Sequence, residues 1–180
     1  MKFRKLRPEE IDLRVGTVTN KGVSFLLYKN ARVDMAILDE TVGAENWQRE
    51  HYECKGNLFC RVGIRTGHID EKGMMIESEW VWKADCGTES ATEKEKGESS
   101  DSFKRACVCW GIGRELYTAP FIWIPLSENF FETGQVRPKL TRQAQATLNR
   151  FRVSEIGYND KDEISKLVIV DKDGTVVWQK

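Results

Sequence analysis

The side chains best placed to do chemistry in this chain are cations on regular elements. Arg32 stands at the edge of the apolar stripe of a predicted helix, and Lys104 and Arg105 lie on a second helix packed through Phe103, Ala106, Cys107 and Trp110. Arg61 and Arg65 fall on the solvent phase of a predicted strand. Basic groups held on rigid elements can follow a phosphate backbone without reading base sequence. Singly, each is an ordinary solvated charge; only their shared placement points to a polyanion.

Other chemistries find less support. No glycine is followed by Lys-Ser or Lys-Thr, as a phosphate-cradling ATPase loop requires, and no Gly-x-Gly-x-x-Gly run occurs. No cofactor is expected. Cys54, Cys60, Cys86, Cys107 and Cys109 are odd in number and lack a Cys-x-x-Cys pair, which suits buried free thiols. His51 and His68 are too few and too scattered to suggest a catalytic triad or a zinc site. Asp34, Asp39, Glu40, Asp70, Glu71, Glu77, Glu79 and Asp85 could serve a nuclease's Mg²⁺, but they show no paired spacing on one face. The six tryptophans could stack on bases. Trp80, Trp82 and Trp110 instead read as core, while Trp123 and Trp178 stay open.

With 180 residues the chain is near the size of one domain. Lys plus Arg and Asp plus Glu both number 28, so a polyanion must be held by a local surface rather than by net charge. Zero net charge also favours self-association. The longest uncharged run, Leu116 to Ser127, is twelve residues broken by two prolines, short of the roughly 20 residues of a membrane span. The basic N-terminus has no apolar h-region, so no secretory signal is expected and a reducing cytoplasm is the default.

The elements that would position the cations follow from periodicity. Pro8-Glu9-Glu10 with Ile11 and Val15 predicts a short helix, and Gly22 to Tyr28 a strand. Asn30 can cap a helix whose buried stripe is Ala31, Met35, Leu38 and Val42, ended by Gly43. Trp47 to Cys54, then Leu58-Cys60-Val62-Ile64, then Met74-Ile76-Trp80-Trp82-Ala84 predict three consecutive antiparallel strands, the last two with these residues as the packed phase. Glu89 to Asp101 reads as a loop or a solvated lead into a helix, with Ser99 or Ser100 capping the Phe103–Trp110 helix. Thr141 to Phe151 predicts a basic amphipathic helix within a run containing Arg137, Lys139, Arg142, Arg150 and Arg152. A hairpin turning at Asp173-Gly174 follows. The fold class is α+β: a three-stranded antiparallel sheet packed on helices, with a C-terminal β-hairpin.

Three stretches carry a resemblance. Arg7 to Gly16, Tyr28 to Trp47, and Ser99 to Tyr117 with its Asp-Ser-Phe-Lys-Arg-Ala element are similar to the Rad fifty-two/Rad twenty-two single-strand annealing proteins, most of all to their short phage and prophage branch. The resemblance covers residues 7–125. It implies a β-β-β-α unit assembled into rings or arcs, with single-stranded DNA in an outer basic groove, backbone down and bases free. It assigns groove positions to Arg32, Lys104 and Arg105. Val108 stands where eukaryotic members carry a further basic residue, and the shorter, more acidic Gly87 to Ser99 segment argues against a second DNA site there.

The sequence therefore supports a non-enzymatic, ATP-independent annealing protein acting on single-stranded DNA as a homo-oligomer, with an annealing core at 1–125 and a packed extension at 126–180. A single-strand-binding protein or an exonuclease is the further class of partner. The rivals are a metal-dependent nuclease and a structural oligomer with no nucleic-acid role.

Overall fold

The computed structural model describes residues 1–69, 72, 74–88 and 94–180; Asp70, Glu71 and residues 89–93 of the polar segment before Ser99 lie outside the described residues. The chain forms two compact units, one of residues 1–5 and 30–114, the other of residues 6–29 and 115–180.

The first unit begins with helix α1 (Ala31–Val42), where the Asn30 side chain accepts from the amides of Arg32 and Val33 and Gly43 ends the helix at φ 84°. Its buried residues are Asp34, Ile37 and Leu38, so the buried face is turned from the predicted Ala31-Met35-Leu38-Val42 stripe. A carboxylate at the middle of the packed face conceals that face from any reading by hydrophobicity. Strands β3 (Trp47–Cys54), β4 (Asn57–Ile69) and β5 (Met75–Cys86) follow in antiparallel order. Cys60, Val62 and Ile64 of β4 are fully buried, as their alternation predicts.

The packed phase of β5 is the reverse of the expected one. Cross-strand partners share a face of the sheet, and β5 pairs Trp82 with Gly63 and Trp80 with Arg65. Both indoles therefore sit with the outward-pointing residues of β4, and the polar phase of β5, Lys83 and Asp85, joins Val62 and Cys60. Trp80 is among the exposed large side chains. Val81, opposite Ile64, is the apolar member of that inner phase, and Lys83 lies over the Trp110 ring at 4.5 Å.

Helix α2 (Lys94–Trp110) covers the inner face with Phe103, Ala106 and Cys107, all fully buried. Its first turns are already helix from Lys94, so of the two readings the polar segment allowed the described part is not loop, and Ser99 and Ser100 lie within the helix rather than at its cap. Tertiary bonds hold these polar turns: Glu98 accepts from the Leu58 amide at 3.1 Å, and His51 Nε2 lies 3.2 Å from the Ser99 carbonyl. A β-carbon at Gly87 would stand 2.3 Å from the Glu98 carbonyl oxygen, so the close approach of α2 to the end of β5 requires glycine.

The second unit contains two three-stranded antiparallel sheets. One has the order β1 (Asp12–Thr19), β2 (Gly22–Tyr28), β6 (Ile122–Pro125); the other β7 (Arg152–Tyr158), β8 (Ile164–Val170), β9 (Val176–Gln179). The predicted helix through Ile11 and Val15 is limited to one 3-10 turn, Pro8–Glu10. Asp12 onward alternates exposed and half-buried positions and pairs with β2 across a two-residue turn, a better use of Leu13 and Val15 than one helical turn offers. Helix α3 (Arg142–Leu148) is capped by Thr141 and buries Ala144 and Leu148. The β8–β9 hairpin turns as predicted, with Asp171 accepting from the amides of Asp173 and Thr175 at 2.9 Å each. Among the described residues no helix is long and apolar enough to cross a membrane.

Candidate nucleic-acid interface

Lys104 and Arg105 are presented by a helix that Phe103 fixes to the sheet. The Phe103 ring, fully buried, stacks on Trp47 at 6.1 Å and carries the Arg49 guanidinium at 4.9 Å. One residue on, about 100° round the helix, Lys104 retains 27% of its side-chain surface and lies 3.9 Å from Asp101. Arg105 retains 42% and meets Asp85 of β5 at 3.2 Å. Both cations are thus half-open on a rigid support, each beside a carboxylate.

Two further cations lie by the C-terminal turn of α2, and the sequence pattern did not single them out. Lys83 extends over the Trp110 ring at 4.5 Å and donates to the Cys109 carbonyl at 3.0 Å. Arg114 donates to the carbonyls of Val108 and Cys109 at 2.9 and 3.1 Å, neutralising the negative end of the helix. Reversal of the β5 phase is what brings Lys83 there; no local signal could reveal it without the register. Val108, the position that carries no cation, therefore has a guanidinium on its own carbonyl. Trp110 donates its indole N–H to the Val62 carbonyl at 3.0 Å, which ties this end of the helix to the sheet.

Arg32 is exposed near the start of α1, two residues before the buried Asp34, and α1 packs on α2 within the same unit. Arg32, Lys104 and Arg105 thus all belong to the helical layer. Arg61 and Arg65 do not join them. They project from the opposite face of the sheet, where Arg61 pairs with Glu50 at 2.6 Å and Arg65 donates to Ser78 at 2.7 Å.

Several of the acids considered for a metal have structural partners instead. Asp39 accepts the Trp47 indole N–H at 2.6 Å and Glu40 pairs with Arg4. Among the described residues no three His, Cys, Asp or Glu side chains converge as a metal site. Burial pushes the Cys60 thiol up to about 11, which makes it a poor nucleophile. The surface is consequently one of fixed, half-open cations on a helix.

A family model of Rad52/22 family double-strand break repair proteins matches residues 3–129. The chain belongs to that family. Membership places it among proteins of DNA repair and recombination that bind single-stranded DNA, anneal it and form oligomers. The match takes in α1, the β3–β4–β5 sheet and α2 entire, and so every cation described above. No curated protein matches the chain.

Proposed function

We propose that this protein anneals complementary single strands as a homo-oligomer, without nucleotide or metal, holding the phosphate backbone on the helical layer with Arg32, Lys104 and Arg105, aided by Lys83 and Arg114. The observation that carries this reading is the pair Lys104-Arg105, half-open beside the fully buried Phe103. Cations so fixed neutralise phosphates at little cost in side-chain ordering, which lowers the strand's self-repulsion. Contacts confined to the backbone leave base edges free to find a complement. No bond is broken, so no catalytic group is required. Arg61 and Arg65 supply phosphate contacts on the other face of the sheet. The proposed setting is cytoplasmic, in a protein of the short phage or prophage type, with residues 126–180 an extension of the annealing core at 1–125. An exonuclease or a single-strand-binding protein is the natural partner, since either provides single strands.

The test pairs two complementary labelled strands with the protein, with and without Mg²⁺ and ATP. Faster duplex formation that needs neither is expected, and strand shortening that requires Mg²⁺ would overturn the reading. Each phosphate neutralised should contribute about 0.7 to the slope of log K against log salt. Lys104→Ala/Arg105→Ala should lower single-strand affinity and that slope while costing only about 0.5 kcal/mol in stability, because surface charges contribute little to folding. Light scattering should show a large species of the same size for both proteins. Normal annealing by the folded double variant would sink the site assignment, and a strict monomer at micromolar concentration would sink the assembly.

A further inference from the structure

We infer that the face of the β3–β4–β5 sheet turned away from α2 is a base-stacking surface for single-stranded nucleic acid, with Tyr52 and Trp80, backed by Phe59 and Trp82, taking bases and Arg61 and Arg65 taking phosphates. Register puts all six on one face: Tyr52 opposite Phe59, Trp82 opposite Gly63 between the two arginines, and Trp80 opposite Arg65. Large rings normally seek a core, yet Tyr52 and Trp80 each remain 38% exposed. They are also arranged with respect to one another. Tyr52 and Phe59 are stacked at 5.6 Å, Trp80 and Trp82 lie 6.2 Å apart, and the Arg61 guanidinium sits 4.5 Å from the Trp82 ring.

Gly63 explains how an indole can lie down on this surface. A β-carbon there would come within 2.9 Å of the Trp82 ring, so the glycine lets the ring rest on the strand rather than stand off it. Side chains on one face recur about every 6.8 Å along a strand, twice the roughly 3.4 Å step between stacked bases, which leaves room for a base between successive groups. Base–aromatic stacking tolerates any sequence, and a guanidinium plane adds a stacking surface that also carries the charge a phosphate needs.

Charge and composition favour this occupant over a second copy of the chain. Among the described residues the face has Arg61 and Arg65 against one carboxylate, Glu50, which already pairs with Arg61. From Phe59 to Arg65 and their described cross-strand partners it presents no Leu, Ile, Val or Met, whereas a stable contact between copies resembles a core cut in half. This surface is separate from the helical layer. It senses bases, where the proposed helical contacts sense only phosphates.

That difference supplies the experiment. Affinities are measured by fluorescence anisotropy for an oligothymidine and for an abasic deoxyribose-phosphate strand of equal length, with particle size followed by light scattering. The unsubstituted protein should prefer the base-bearing strand by about tenfold or more, given the strength of base–aromatic stacking. Trp80→Ala and Tyr52→Ala should each remove much of that preference with abasic-strand affinity unchanged, and Trp80→Phe, which keeps a ring, should retain it. Lys104→Ala/Arg105→Ala should weaken both strands alike and leave the preference intact, so failure of the helical reading and failure of this one look different. Equal affinity of the unsubstituted protein for the two strands would overturn the inference. So would an equal loss on both strands in Trp80→Ala and Tyr52→Ala, or an altered particle size in both, which would give the face to a contact between copies.

Discussion

Arg105 shows how little a cation's type says until its partner is known. Its guanidinium meets Asp85 with 42% and 29% of the two side chains exposed, a pair of the kind worth only about 0–1 kcal/mol to folding. The same carboxylate competes with any phosphate for Arg105. Asp85→Asn should therefore leave stability nearly unchanged while raising single-strand affinity about two- to fivefold, within the roughly 1 kcal/mol such a pair supplies. Unchanged or weaker binding in a salt titration would remove Arg105 from the interface. Tyr158 gives a second prediction in the other unit, where its hydroxyl donates to the Leu6 carbonyl at 2.8 Å. Burial first, then the Glu115 and Glu10 carboxylates, raise its phenol well above the ordinary value. With the folded value above the unfolded one near 10, the stabilisation is whole below about pH 10 and is lost as pH rises through the folded value. Tyr158→Phe should cost about 1 kcal/mol at neutral pH and flatten the alkaline fall in stability, as followed by denaturant unfolding at a series of pH values.

Elements, not single side chains, decide where the cations point, and α2 is the element on which most depends. Gly87 admits its backbone to the end of the sheet, so Gly87→Ala should push against the Glu98 carbonyl and cost about 1–3 kcal/mol. Phe103→Ala, which removes a fully buried ring, should cost about 3–5 kcal/mol. If Gly87→Ala unfolds at the same denaturant concentration as the parent, the close approach does not constrain the helix. Strand β4, strand β2, the Asn30 cap and the terminal hairpin were legible because each is written in local periodicity or turn chemistry. What stayed hidden shares one physical cause, dependence on a distant partner. The first turns of α2 are polar and are held by Leu58 and His51, some forty to fifty residues away in sequence. The inner face of β5 is chosen by its register with β4, and the buried face of α1 centres on a carboxylate. For the site, Lys104 and Arg105 could be read from the helix period and the resemblance. Lys83, and the separation of Arg61 and Arg65 from the helical cations, required the register.

At the scale of the whole molecule the matched family region ends at residue 129, yet the second unit draws on chain from both sides of that point. Phe25 of β2 meets Phe151 at 5.9 Å, and Thr118 accepts from the Ile164 amide at 2.9 Å. The Leu6 carbonyl receives the Tyr158 hydroxyl. Residues 130–180 also contribute the buried Leu148, Val153, Ile164, Leu167, Val168, Ile169 and Val170. Burying each such side chain is worth about 1.5–3 kcal/mol, so their sum rivals the roughly 5–15 kcal/mol by which a domain is stable. A chain cut after residue 129 should therefore leave β1 and β2 without much of their support, while the first unit keeps its own core of Val62, Ile64, Phe103 and Cys107. Amide exchange on the truncated chain should show β4 and α2 still protected and β1 and β2 exchanging freely. The truncated protein should also retain contact with single strands through Lys104 and Arg105, at reduced affinity if assembly is impaired. Protection of β1 and β2 equal to that in the full chain would show that residues 130–180 are dispensable to the unit, and that the family region folds without them.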